Sequence, residues 1–217
     1  MDEQRSRVLD NVRKALGREQ SLDADSVRNA HAQDVEQTKP PRPLWGEPVR
    51  EHFLAGVREA AATSDEIAEL AALPDALARF LDSHELAREL TVAPHPLLSG
   101  LTWPESWTVT RGAPAHDALV GLSVAYAGVA ETGTLALYSG PQSPITLNYL
   151  SDFHVVLVPA ERIVPYFEDL WQMTRQEPSF PPRAINLITG PSRTADIEQT
   201  IQLGAHGPRK LHVIVVG

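Results

Sequence analysis

Apolar positions recur at helical spacing over much of the first ninety residues, outside one polar stretch, and then contract into short runs bounded by proline and glycine. Val8, Leu9, Val12, Ala15 and Leu16 predict an amphipathic helix over residues 2–16, stopped by Gly17. From Arg18 to Pro43 the periodicity disappears, and Lys39-Pro40-Pro41-Arg42-Pro43 favours an extended linker. The helix on this tether reads as either a frayed tail or a docking arm. Val49, Phe53, Leu54 and Val57 form a second helical stripe. Ile67, Leu70 and Leu73 form a third, behind Ser64 and Asp65 as caps. Pro74 can open a further helix that buries Leu77, Phe80 and Leu81.

Beyond Leu90 the pattern predicts strands over residues 90–93, 107–110, 121–125 and 134–138. The run 153–158 is apolar throughout, as expected of a strand buried on both faces. A helix over 161–171, with Ile163, Val164, Phe167, Leu170 and Trp171 on one face, leads to a strand at 185–188. A helix over 195–203 then leads to a last strand at 211–216. Such a β-α-β-α-β series implies parallel strands, with Val155, Val156, Leu157, Ile185, Leu187, Val213, Ile214 and Val215 in the core. The expected fold class is therefore α/β, a mostly parallel sheet flanked by helices. It follows an N-terminal helix and Pro-rich linker (residues 1–43), with the α/β domain over residues 44–217.

Composition narrows the function classes. The 217 residues are 42% apolar, enough for a sizeable core. Asp and Glu outnumber Lys and Arg by 28 to 19, giving a formal charge of −9 that disfavours nucleic acid. No cysteine is present, so thiolate catalysis and cysteine-ligated clusters are excluded within the chain. The eight histidines show no metal-ligand spacing, so no metal site is expected, and no phosphate-binding glycine motif occurs. The first residues are charged and no apolar run is long enough to span a bilayer; the expectation is a cytoplasmic protein with no membrane partner.

Three short motifs could carry chemistry. In Ala130-Glu131-Thr132-Gly133-Thr134 an acid, two hydroxyls and a flexible glycine sit at the mouth of a strand. Glu131 could act there as base or acyl acceptor, or the segment is a tight turn closed by its own threonines. Gly190-Pro191-Ser192 breaks a strand, and Ser192 and Thr194 can cap the next helix or present its N-terminus to an anion. Asp196 and Glu198 already oppose that dipole, so a carboxylate or neutral group fits better than a phosphate. His206, between Gly204 and Gly207-Pro208, could hydrogen-bond a substrate oxygen or be a loop histidine satisfied by backbone. All three motifs are expected at one edge of the parallel sheet, where ligands usually sit at the carboxyl ends of strands.

Taken in order, Ala130-Glu131-Thr132-Gly133-Thr134, then Gly190-Pro191-Ser192-Arg193-Thr194-Ala195-Asp196-Ile197-Glu198, then Gly204-Ala205-His206-Gly207-Pro208 before a terminal apolar strand, resemble the lactate-utilisation protein C family (LutC/YkgG-like, LUD domain). The resemblance covers roughly residues 48–217. It implies a fold similar to the ribose-phosphate isomerase, glucosamine-phosphate deaminase and CoA-transferase superfamily. It also implies an accessory or substrate-handling subunit of an assembly oxidising L-lactate to pyruvate, whose partner proteins bring the iron-sulfur clusters; no cofactor is expected on this chain. The expected site has Glu131 and His206 as catalytic groups. Thr132, Gly133, Thr134, Gly190, Ser192, Thr194 and Gly207 would bind the ligand. The alternative is a stand-alone acyl- or CoA-transferase-like, or small-carboxylate-binding, enzyme using Glu131.

Overall fold

The computed structural model describes residues 2–17, 42–114, 118–177, 182–194, 202–203 and 206–217. It divides into two units, residues 1–44 and 45–217. In the first, helix α1 (Asp2–Ala15) leaves Val8, Leu9 and Val12 exposed, as is Leu16 just beyond its end. The other described helices and strands lie in the second unit. Because it holds its own apolar clusters, a chain lacking residues 1–40 is expected to keep its cooperative melt. Loss of that transition by circular dichroism would make the N-terminal helix part of the folding unit.

The second unit is built on a six-stranded sheet in which every described pairing is parallel. Its strands are β1 (Thr63–Ile67), β2 (Glu89–Val92), β3 (Thr108–Arg111), β4 (Val120–Val124), β7 (Phe153–Pro159) and β12 (Lys210–Val216). Their spatial order is β1-β12-β7-β4-β2-β3. The central β7 and β12 are rich in valine, whose branched side chains suit a pleated surface covered on both sides. Leu122, Val155, Leu157 and Ile214 pack on one face with helix α3 (Leu73–Ser83), through Leu73, Leu77 and Leu81. Val156, Val158, Val213 and Val215 pack on the other with helix α2 (Val49–Glu59), through Phe53, Leu54 and Val57. Leu157 is fully buried, so truncation to Ala is expected to cost about 3 kcal/mol, read as a lower denaturation midpoint. An unchanged midpoint would contradict its place in the core.

On the α2 side lies a second sheet, with strand order β8-β5-β6-β9. It contains β5 (Ala127–Val129), β6 (Thr134–Tyr138), β8 (Ile163–Val164) and β9 (Ile185–Ile188). Here β6 pairs antiparallel with both β5 and β9. Short helices α4 (Pro96–Ser99) and α5 (Leu147–Leu150) and helix α6 (Phe167–Arg175) complete the layers. A two-stranded ladder joins β10 (Arg193–Thr194) to β11 (Gln202–Leu203).

Several sequence expectations are corrected here. Residues 185–188 do form a strand, but it belongs to the second sheet, and there Leu187 is 44% exposed and Ile185 only half-buried. The stripe Ile67, Leu70, Leu73 is no helix: Thr63–Ile67 is the edge strand of the parallel sheet, and Leu70–Ala72 a single 3-10 turn. Two β-branched residues interrupt the expected helix at 161–171, so Ile163 and Val164 pair as a strand and α6 begins only at Phe167. Of the helix expected over 195–203, residues 195–201 lie outside the described residues, while Gln202 and Leu203 are strand. Among the described residues no helix is long and apolar enough to cross a membrane.

Candidate functional site

The C-terminal turns of α2 organise the first two motifs. Gly133 has φ +65°, a conformation that costs a residue with a Cβ, and that Cβ would fall on the backbone of Gly56 and Val57. Gly190, at φ +78°, lies in the same way against the carbonyl of Ala60. Gly56 and Ala60 are one helical turn apart, so the hairpin between β5 and β6 and the segment after β9 meet on one stretch of helix. Both glycines thus answer first to close packing.

This convergence joins three hydroxyls. Thr132 Oγ1 is 2.6 Å from Thr134 Oγ1, which is 2.6 Å from Thr189 Oγ1. Thr134 is buried, whereas Thr132 and Thr189 are exposed. Three hydroxyls bring three protons and the two internal bonds use two, which leaves one O–H over for a further acceptor. Thr189 is the member that the sequence did not flag. Its signal was β-strand register, because Leu135 pairs with Ile188 and places Thr134 beside Thr189.

Three residues further on, the Ser192 amide donates to the Pro208 carbonyl at 2.9 Å, and a Cβ added to Gly207 would lie 3.4 and 3.7 Å from Ser192 Cβ and Oγ. The second and third motifs therefore do come together. Tyr149 supports them from α5, donating its hydroxyl to Asn186 Oδ1 on β9 at 3.1 Å. Arg193 and Arg209 follow directly on the two bridged residues, and both are exposed. They put two exposed cations next to the Ser192–Pro208 bridge, in a motif whose acids Asp196 and Glu198 dominate the sequence pattern. Of Thr194 only the backbone is described, paired with Gln202.

The edge of the sheet differs from the expected one. Arg209 and Lys210 donate to the Asp152 carbonyl, which places the Ser192–Pro208 bridge at the N-terminal ends of β7 and β12. Chain direction explains it: the β5–β6 hairpin and β9 fold back over the sheet and end at the C-terminus of α2, just ahead of β1. The two catalytic candidates remain apart in their contacts. Glu131 is half-buried, with its amide bonded to the Pro165 carbonyl, and His206 is exposed. No hydrogen bond or ion pair joins them among the described residues, and no metal-holding group of His, Cys, Asp and Glu occurs among those residues.

Two other histidines are buried, and spacing had not singled them out. His154 Nε2 is 2.7 Å from Ser123 Oγ, and His212 Nδ1 is 2.8 Å from Thr63 Oγ1. Removal from water holds each ring's pKa down at about 4.

A mostly parallel α/β sheet with a folded-back antiparallel layer and a hydroxyl-lined edge defines the class of protein. Residues 109–216 match the model of the LUD domain, and the chain belongs to that family. An uncharacterised protein of Neisseria meningitidis serogroup B is 38% identical over 44% of this chain and 41% of its own length. Lactate utilization protein C of Macrococcus caseolyticus is 37% identical, and that of Anoxybacillus flavithermus 35%, each over 51% of both chains. The matches thus span about half the length of these relatives. A DUF162 family protein from Deinococcus radiodurans, known from its crystal structure, shares the fold with a TM-score of 0.58. It is 23% identical, over 81% of this chain and all of that one.

Proposed function

We propose that the chain takes part in lactate utilisation, as the subunit that holds a small carboxylate in an assembly oxidising L-lactate to pyruvate. Relatives named lactate utilization protein C support the reading, and the Thr132–Thr134–Thr189 hydroxyl chain is the observation that carries it, with the exposed Arg193 and Arg209 next to the Ser192–Pro208 bridge that follows it along the chain. A carboxylate would accept the remaining hydroxyl proton, and the two guanidinium groups would draw it to the site. The α2 C-terminus nearby carries the unfavourable end of the helix dipole. Its carbonyls are partly quenched, since Ala60, Ala61 and Ala62 donate back to Gly56, Arg58 and Val57. His206 is the group assigned to the substrate hydroxyl, with an imidazole's capacity to accept its proton.

Oxidation of lactate releases two electrons and two protons. With no cysteine in the chain, a thiolate-ligated iron-sulfur cluster that received the electrons would reside on partner proteins. The test is purification of the tagged chain from native extract. The account expects iron-sulfur proteins to accompany it, and L-lactate to reduce their clusters. Recovery of the chain alone, with an acyl adduct on Glu131 after incubation with acyl-CoA, would replace this reading with a stand-alone transferase.

A further inference from the structure

Exposed apolar side chains gather around the short helix α5. Among the described residues of the second unit, six large apolar side chains stand exposed: Leu119, Ile145, Tyr149 and Leu150, and elsewhere Leu97 and Leu187. Ile145 and Tyr149 are four apart, on one side of the turn that enters α5, and the Leu150 amide closes that turn on the Thr146 carbonyl at 2.9 Å. Leu119 joins them because its carbonyl accepts the amide of Phe153, three residues past Leu150, at 2.9 Å.

Cations border this patch, on a chain whose formal charge is −9. The Asp152 carbonyl, two residues past Leu150, accepts the amides of Arg209 and Lys210 at 2.8 and 3.2 Å, and both of those residues are exposed. Arg193 is exposed too, next to Ser192, whose amide reaches Pro208. The patch adjoins the Ser192–Pro208 bridge directly, since a Cβ added to Gly207 would lie 3.9 Å from Tyr149 Cδ1.

We propose that the α5 face is the docking surface for the electron-accepting protein, and that this partner presents an apolar centre ringed by Asp and Glu. The inference rests on the lactate reading: oxidation of a ligand at the Ser192–Pro208 bridge needs an oxidant brought up to the bridge, and this patch is the apolar surface beside it. An apolar patch with a charged rim has the make-up of a protein interface, in which Tyr and Arg are enriched. The three cations select an acidic rim and would speed its approach. A second copy of the chain fits worse, because two-fold docking of the patch on itself would bring Arg193, Arg209 and Lys210 together with the same three cations.

The experiment compares the full tagged chain with Leu150→Asp on the patch, Lys210→Glu on its rim, and Leu97→Asp on α4 as the control. Purified from native extract, the first two variants should carry iron lowered by about fivefold or more, and Leu97→Asp the parent's amount. High salt should release the iron-bearing partner from the parent, as a charged rim requires. All three variants should melt as the parent does, and the isotopically labelled Leu150→Asp chain should keep the L-lactate shift at the Ser192 amide. Parent-level iron on Leu150→Asp or Lys210→Glu would overturn the docking and leave the lactate reading standing, whereas a parent without iron would overturn both. Loss of the lactate shift along with the iron would make Leu150 part of the ligand site and overturn the docking. So would a dimer, or retention by phosphatidylglycerol vesicles, that Leu150→Asp abolishes: the face would then belong to a second copy or to a lipid surface.

Discussion

Gly133→Val is expected to leave the chain without a cooperative melt. The substituted residue would have to hold φ +65°, which costs a β-branched side chain about 1–3 kcal/mol. Its Cβ would also enter the backbone of Gly56 and Val57, and backbone cannot rotate away as a side-chain tip can. Relief would require the β5–β6 hairpin to lift from α2, exposing buried Thr134 and Leu135 and parting Thr134 from Thr189. Against a total stability of about 5–15 kcal/mol, such a loss is decisive. Gly140→Ala is the control, because nothing lies within 4 Å of the Cβ it adds. If Gly133→Val melted like that control, the close approach of hairpin and helix would be wrong.

Mild acid should destabilise the fold strongly. His154 and His212 have pKa values lowered to about 4 by burial, against about 6.5 for an exposed ring. Below pH 6.5 the unfolded chain binds protons that the folded chain refuses, so stability is complete above that value and falls as the pH drops towards 4. Asp65 pulls His212 the other way, but desolvation outweighs it. Each ring is expected to remove about 2 kcal/mol between pH 7 and pH 5, together about 4 kcal/mol. Urea midpoints at the two pH values measure it. Equal midpoints would mean that the rings are solvated.

Much of the architecture was legible because burial on both faces leaves a continuous apolar run, as in residues 153–158 and 211–216, both of which are central parallel strands. Ile185–Ile188 carried the same signal at lower strength, and periodicity cannot tell which of two sheets a four-residue run will join. The first strand was hidden for a different reason. Thr63–Ile67 is an edge strand, polar enough that its Ser and Asp read as helix caps. At the site, the sequence yielded the residue types and the expectation that the three motifs meet, of which the structure brings the Ser192 and Gly207-Pro208 segments together. Thr189, Arg193 and Arg209 gain their meaning only from register and chain reversal, which no local window contains.

The central claim is that the hydroxyl chain and the Ser192–Pro208 bridge hold a small carboxylate. Titration of L-lactate into the labelled chain, followed by the amide signals of Thr189, Gly190, Ser192 and Gly207, tests it most directly. The account predicts saturable shifts at these four positions, weakened at least fivefold in Thr189→Val and in Ser192→Ala while both variants melt as the parent does. Signals that do not move, or an affinity the two variants leave unchanged, would contradict it.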